Sequence, residues 1–280
     1  MHIPTTWAKA TGECQTRDNR KLRFGVWGWG DDDVTAKQEA AGRLQRLLQR
    51  VQRGEPFPDK YAYGARPLRE EILETIDVGG GAPVGMLTRN RYGAVVLNTT
   101  NLLFLDIDLP PTSAVQQLKR LFSFKKSDTD HAALAKLRDA LLHYGRATFR
   151  VYQTAAGFRA IAVDREYDPA GSDAQDLMLA SGTDPAFANL CIVQKSFRAR
   201  LTPKPWRCGC PNPPGDYPRT DDDAMNQFNI WMRKYERAIG DYATCRFIET
   251  VGQGTPKGPV EMLIALHDRV TRCADVSPLA

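Results

Sequence analysis

No apolar run in this sequence approaches the roughly 18 residues that a membrane-crossing helix requires. The opening MHIPTTWAKATGECQ has no apolar stretch of the kind a secretory leader needs. Both absences point to a cytoplasmic protein with no membrane partner. Cysteine is sparse: Cys14, Cys191, Cys208, Cys210, Cys245 and Cys273 are scattered over 280 residues. That spacing excludes a small disulfide scaffold and predicts reduced thiols. Histidine is sparser still. His2, His131, His143 and His267 fall on a terminus or on predicted helices, and none pairs with a serine or cysteine in a nucleophile motif. The glycine run VGGGA at 78–82 opens no helix and lacks the Lys-Ser/Thr of a P-loop, so a turn is expected there. Internal repeats and low-complexity tracts are missing too.

What is present is an ordinary globular composition, 42% hydrophobic and 25% charged, enough chain for one large domain or two modest ones. The net charge of +5 is mild, but its distribution is uneven. KSFRARLTPKPWR carries Lys195, Arg198, Arg200, Lys204 and Arg207 with no acid between them. Two readings stay open: a contact for a phosphate-rich partner, or a solvated face followed by a Pro-rich turn. Trp206, between basic residues, is a candidate to stack on a base. Trp27 and Trp29 are expected in a core. Arg89 and Arg91 are expected either to contact phosphate or to pair with nearby aspartates. Cys208-Gly-Cys210 offers two thiols to zinc, with Cys191 or Cys245 to complete a site. The spacing is not that of a zinc knuckle and no histidine is near, so a plain loop is expected.

Along the chain, 20–29 reads as a strand. From Val34 to Val51, apolar residues recur at helical steps, with DDD at 31–33 supplying the N-cap and Gly54 the stop. EPFPDKYAYGA reads as a loop. Pro67 is placed in the first turn of a second helix, with Leu68, Ile72, Leu73 and Ile76 on one side. Two or three strands follow within 83–109, joined by RNRYG and NTTN. The polar stretch 112–130 reads as a loop or short helix. Next comes a helix with Leu134, Leu137, Leu141 and Leu142 on one face, ended by Gly145. ATFRVYQT and FRAIAVD form a hairpin, with Gly157 in the left-handed position. DAQDLMLASG reads as a short helix and LCIVQKSFRARL as a last strand or helix. A Pro/Gly-rich loop and helices at 221–239 and 259–273 complete the chain. The predicted organisation is an N-terminal strand and helical region (1–83), a core (84–207) and a C-terminal extension (208–280).

From residue 102 the order is strand, helix, strand, hairpin, strand, helix, strand. That is the split βαβ pattern of a ferredoxin-like or RRM-like α+β core. In it the first and third strands are antiparallel neighbours, which places Asp106 and Asp108 beside Phe158 and Arg159. Alternation along NLLFLDIDLPP sets Phe104, Asp106 and Asp108 on one face, expected to point away from the helices. Two carboxylates roughly 7 Å apart suit a divalent cation, Mg or Mn. Unpaired, they repel each other. A cation or an arginine resolves that cost, and Arg159 is the predicted neighbour. Replacing both aspartates by asparagine is expected to be neutral or stabilising.

LLFLDID followed by TAAGFR resembles the catalytic core of the archaeo-eukaryotic primase superfamily, over residues 84–207. That family has a hydrophobic strand ending in Asp-x-Asp, then a small-residue turn leading to a histidine. Arg159 stands at the histidine position here, and Asp164 is a loose match to a further carboxylate. The resemblance implies a primase-polymerase-like fold and a metal-dependent nucleotidyltransferase or nucleotide-processing activity. Its catalytic residues would be Asp106, Asp108 and Arg159. WGWG, YAYGARPLREE, LTRNRYGAVVLNT, YQTAAGFR and ARLTPKPWR make the whole chain similar to a bacterial protein family, which implies no activity. Two functions follow. One is an enzyme with a metal at Asp106 and Asp108. The other is a non-catalytic relative that neutralises the aspartates with Arg159 or Arg89 and binds nucleic acid or a protein through 195–207.

Overall fold

The computed structural model describes residues 1, 3–16, 18–56, 66–79, 81–109, 128–144 and 146–280. His2, Gly145, most of the loop expected at 55–65 and nearly all of the stretch at 112–130 lie outside them. The chain divides into two compact units, residues 2–71 and 72–280.

The smaller unit is a hairpin carrying one helix. Strand β1 (Thr6–Gln15), which sequence patterning did not reveal, pairs antiparallel with β2 (Lys21–Gly30). Helix α1 (Asp33–Gln52) starts where the acidic triplet predicts. Asp32 is its N-cap, accepting from the Thr35 N–H at 2.7 Å, and this bond lowers the pKa of Asp32. The helix lies so close to the hairpin that a Cβ at Gly28 would fall 2.1 Å from the Ala40 backbone nitrogen. Trp27 and Trp29 are half-buried and not in a closed core. Arg69 stacks 4.5 Å from the Trp27 ring and Arg43 4.6 Å from Trp29.

The larger unit holds two four-stranded sheets. The first has the order β3 (Glu71–Ile76), β4 (Gly85–Arg89), β5 (Val95–Thr99), β9 (Phe197–Arg200). The helix expected after Pro67 is instead β3. Its apolar residues find a strand partner in β4, and that pairing overrides the helical spacing. The second sheet has the order β10 (Cys245–Val251), β7 (Phe149–Thr154), β8 (Gly157–Ala162), β6 (Phe104–Asp108), all antiparallel. The expected neighbours β6 and β8 do pair. The expected fourth strand does not join them, because β9 pairs with β5 in the other sheet. The opposite edge is taken by β10, a strand unrecognised in the sequence. The C-terminal strand β10 is thus an edge strand of this sheet.

Helix α2 (Asp128–Tyr144) buries Leu134, Leu137 and Leu141, while Leu142, expected beside them, is 69% exposed. Helix α3 (Ser172–Ser181) ends on Gly182 in the left-handed conformation, φ 79°. LCIVQKSFRARL splits into the end of α4 (Pro185–Gln194) and β9. Helix α5 (Asp222–Ile239) is capped by Asp221, and α6 (Pro259–Thr271) follows β10. The larger apolar core of this unit is centred on Leu102, Leu103, Phe104, Leu105, Leu137, Val151, Phe158 and Ile161, and a smaller one gathers Cys208, Phe228, Trp231, Met232 and Tyr235. No helix among the described residues is long and apolar enough to cross a membrane.

Candidate functional site at the end of strand β6

The register places Asp106 opposite Arg159 and Asp108 opposite Gly157. Gly157 is not in a left-handed turn as expected. It lies inside β8, where a Cβ would stand 1.9 Å from the Ile107 carbonyl oxygen. Only glycine lets the two backbones approach that closely. The approach sets Arg159 directly against Asp106. Arg159 Nε donates to Asp106 Oδ1 at 2.7 Å and Nη2 donates to Oδ2 at 3.0 Å, a two-pronged pair. The Arg159 side chain is 2% exposed and that of Asp106 34%. Burial opposes the charge on Arg159, but Asp106 outweighs it and holds the guanidinium above its ordinary pKa.

The third guanidinium nitrogen, Nη1, donates to the Arg200 carbonyl at 2.9 Å and lies 3.4 Å from His267 Nε2. An arginine only donates, so Nε2 accepts and the His267 proton sits on Nδ1, 2.9 Å from Asp268 Oδ1. Asp268 also accepts from Tyr152 Oη at 2.7 Å and from Arg150 Nη2 at 2.7 Å. Burial lowers the pKa of His267, so the ring is neutral. Burial pushes up the Asp268 carboxyl, but hydrogen bonds from His267 and Tyr152 outweigh it and the pKa falls. The carboxylate-bearing face therefore does not point away from the helices. Helix α6 covers it, with His267 stacked 6.2 Å from Phe104.

On the open side of Asp106 the sequence from Arg200 to Arg207 folds into a cationic cluster. Strand alternation buries Phe197 and Ala199 in the core and sends Arg200 the other way. Arg200 is held near Asp106 by the bond from Arg159 to its carbonyl. A 3-10 turn at Pro205–Arg207 then brings Lys204 and Arg207 back. This turn is not a free loop. Tyr235 Oη donates to the Pro203 carbonyl at 2.5 Å and Trp231 Nε1 donates to the Pro211 carbonyl at 2.9 Å. Phe228, Trp231 and Tyr235 stack along α5 beneath it. Burial and the neighbouring Arg207 and Arg159 push the pKa of Arg200 down to about 10. Burial, Arg200 and Arg207 push Lys204 down to about 8. Arg207 is also lowered by burial, against the pull of Asp108. One nitrogen of Arg200, Nη1, is buried with no hydrogen-bond partner.

Beside this cluster stands a row of rings and cations, exposed at Arg91 and Trp206. Trp206 is 49% exposed, with Lys204 Nζ 5.5 Å from its ring centroid. Tyr92 meets Trp206 edge-on at 5.0 Å, and Arg91 lies 4.6 Å over Tyr92. Asn90 fixes the turn that presents Tyr92, accepting from the Tyr92 and Ala94 N–H groups. Arg89 donates to the Gly93 carbonyl at 3.1 Å.

Of the residues singled out in the sequence, Asp106, Asp108, Arg159, Arg200, Lys204, Trp206 and Arg207 come together. Lys195 caps α4 before β9 begins, and Arg198 is buried at 7% exposure, so neither belongs to the cluster. Asp164 sits past the end of β8, beside the start of β6, at the far end of the sheet from Asp106. It accepts from the Thr148 N–H at 2.6 Å. Tyr92, Tyr152, Arg150, His267 and Asp268 were missed. The one sequence signal for His267 is its place in the buried stripe Val260, Leu263, Ile264, His267, Thr271. Both Asp106 oxygens accept from Arg159, and among the described residues, Cys208 and Cys210 included, no three His, Cys, Asp or Glu side chains converge. Comparison of the chain with protein-family models, curated proteins and solved structures finds no match.

Proposed function

We propose that this chain is a non-catalytic, nucleic-acid-binding relative of the primase-polymerase fold, working in the cytoplasm on single strands. The observation that carries this reading is the closed Arg159–Asp106 pair beside a partly buried cluster of Arg200, Lys204 and Arg207 with no carboxylate of its own but Asp108. A carboxylate pair built for metal chemistry keeps its oxygens free, whereas here one of the two is neutralised from within. The row of Arg91, Tyr92, Trp206 and Lys204, exposed at Arg91 and Trp206, interleaves rings with cations, as single-strand binding requires. The order β6, α2, β7, β8, with β6 beside β8, supports a ferredoxin-like or RRM-like ancestry. The departure of β9 to the other sheet is what such a relative would have changed.

Fluorescence anisotropy with labelled single-stranded and duplex oligonucleotides at several salt concentrations tests it. Five cations on single-strand phosphates would give a log-log slope near −3.5. With Lys195 and Arg198 outside the cluster, Arg200, Lys204 and Arg207 predict about −2. Absence of binding at low salt, or binding unchanged when these three become glutamine, overturns the proposal.

A second reading keeps the enzyme. Asp108 is exposed and the Asp106 side chain is one-third open, so Mg or Mn at this pair would need Arg159 to release Asp106. Calorimetric titration of Mn²⁺ separates the two. Heats that vanish in Asp106→Asn plus Asp108→Asn favour the metal-dependent reading, and equal heats in both proteins reject it.

A further inference from the structure

The cluster's charge exceeds what an internal phosphodiester needs, and that excess points to a more specific ligand. Arg159 and Asp106 cancel, since each is the other's partner. Lys204 and Arg207 face Asp108, and Arg200 stands beside them, so three positive charges meet one negative and two are left uncompensated. A phosphodiester in a nucleic-acid backbone carries a single negative charge. A terminal phosphomonoester carries nearly two at neutral pH, because its second proton leaves near pH 6. It also offers three acceptor oxygens to three donors on separate side chains.

We infer that the cluster of Arg200, Lys204, Arg207 and Asp108 takes a phosphomonoester dianion. This rests on the nucleic-acid reading above, and within it the ligand is the phosphorylated end of a single strand, with the neighbouring base stacked on Trp206. Trp206 lies in the 3-10 turn, two residues after Lys204 and next to Arg207, and its ring already has Lys204 on it, so base and phosphate sites are contiguous. Three cations drawn together in a half-buried turn raise one another's cost. The α5 aromatics and the bonds to the Pro203 and Pro211 carbonyls hold them there regardless. An arriving dianion offsets that cost, and a monoanion offsets about half of it.

The test compares one labelled oligonucleotide carrying a 5′-phosphate, a 3′-phosphate or hydroxyls at both ends, with the full chain, by anisotropy. At pH 7 one phosphorylated end is expected to bind about tenfold tighter than the hydroxyl form. The preference should fade below about pH 6, where the phosphate becomes a monoanion. It should also fade above about 8, where Lys204, facing Arg200, Arg207, Asp108 and Asp106, loses its proton. Lys204→Gln plus Arg207→Gln should abolish the preference. Inorganic phosphate and a mononucleotide are run as competitors. Displacement by the mononucleotide with no gain from a phosphorylated end assigns the same chemistry to a free nucleotide and overturns the strand-end ligand. Equal affinity for all three oligonucleotides, with no competition, overturns the inference but leaves nucleic-acid binding intact. No binding of any oligonucleotide overturns the nucleic-acid reading itself.

Discussion

Two polar assemblies meet at the end of β6, and they follow opposite rules. Inward lies the chain Asp106, Arg159, His267, Asp268, Tyr152 and Arg150. Every charge in it has an opposite charge or a hydrogen-bond partner within 3.4 Å. Outward lie Arg200, Lys204 and Arg207, which lower one another's hold on a proton. The first assembly offsets the cost of its own burial; the second leaves part of that cost open. A fold keeps an arrangement of the first kind for its own stability and specificity. It has no such reason to keep the second, whose natural counterpart is an anion from outside.

The comparison breaks most sharply at Asp106. Asp106→Asn leaves the Arg159 charge buried with no counter-charge, and should cost about 3–5 kcal/mol in urea unfolding. Like-charge repulsion alone predicts that removing both aspartates is neutral or stabilising. With Arg159 only 2% exposed, the double change should cost as much as Asp106→Asn alone. Replacing both members, Arg159→Met with Asp106→Leu, should restore most of the loss. A loss below about 0.5 kcal/mol for Asp106→Asn, the size of an ordinary surface change, would put the two assemblies in one class.

Why part of this was legible is a matter of distance along the chain. Asp106 opposite Arg159 followed from local facts: a period-two strand, a hairpin, and a topology in which first and third strands touch. The cationic run was visible because its members are close in sequence. What sequence could not separate was which of its arginines are buried: Arg198 and Arg200 share a face of β9, yet Arg198 is 7% exposed, and that depends on what packs over the strand once it pairs with β5. The partner of Arg159 on α6 lies 108 residues away. Edge choice, β10 joining β7 and β9 leaving β8, is likewise set by long-range packing and carries no local signal. Glu71–Ile76 failed in a different way. Its apolar spacing suits either a helix or a strand, and the partner strand decided.

The outward assembly should respond to loss of its stacking surface. Trp206→Ala is expected to weaken single-strand binding by roughly 1–3 kcal/mol while barely changing duplex affinity, because only unstacked bases offer a face. Trp206 is half-exposed and touches Tyr92 and Lys204, so thermal stability should move little. Equal losses on single strands and duplex, measured by anisotropy, would mean that the residue merely shapes the loop.

A smaller effect separates the assemblies by pH. Lys204 falls from an ordinary 10.5 to about 8 on folding. Between those values the unfolded chain binds more protons than the folded one, so this residue makes stability rise with pH. Anion affinity moves the other way, falling as Lys204 discharges. The thiols of Cys208 and Cys245 are pushed up to about 11 and oppose the stability trend. The useful quantity is therefore the difference between wild type and Lys204→Gln across pH 7–10. Stability of wild type should gain on the variant over that range while its binding advantage disappears. His267 works in the acid range. Its pKa is depressed by burial, so the stability tied to the neutral ring is lost as pH falls below the ordinary 6.5. His267→Gln should lessen that acid loss.

The smallest effect is expected at Asp108, and its sign is what matters. The residue is exposed at the end of β6, opposite Gly157, and its charge draws on Arg207 and Lys204 across solvent. Pairs of that kind contribute about 0–1 kcal/mol. Asp108→Asn should therefore leave unfolding within about 0.5 kcal/mol of wild type. It also removes the one negative charge that an arriving phosphate meets, so single-strand binding should strengthen two- to fivefold at low salt and converge with wild type as salt rises. A metal-dependent site makes the opposite demand. There Asp108 would be a ligand, and Asp108→Asn would weaken Mn²⁺ binding and any affinity that Mn²⁺ confers. One variant, measured with and without Mn²⁺, thus asks whether the open carboxylate repels the ligand or recruits an ion for it. Stronger binding in the absence of metal means that the cations act alone.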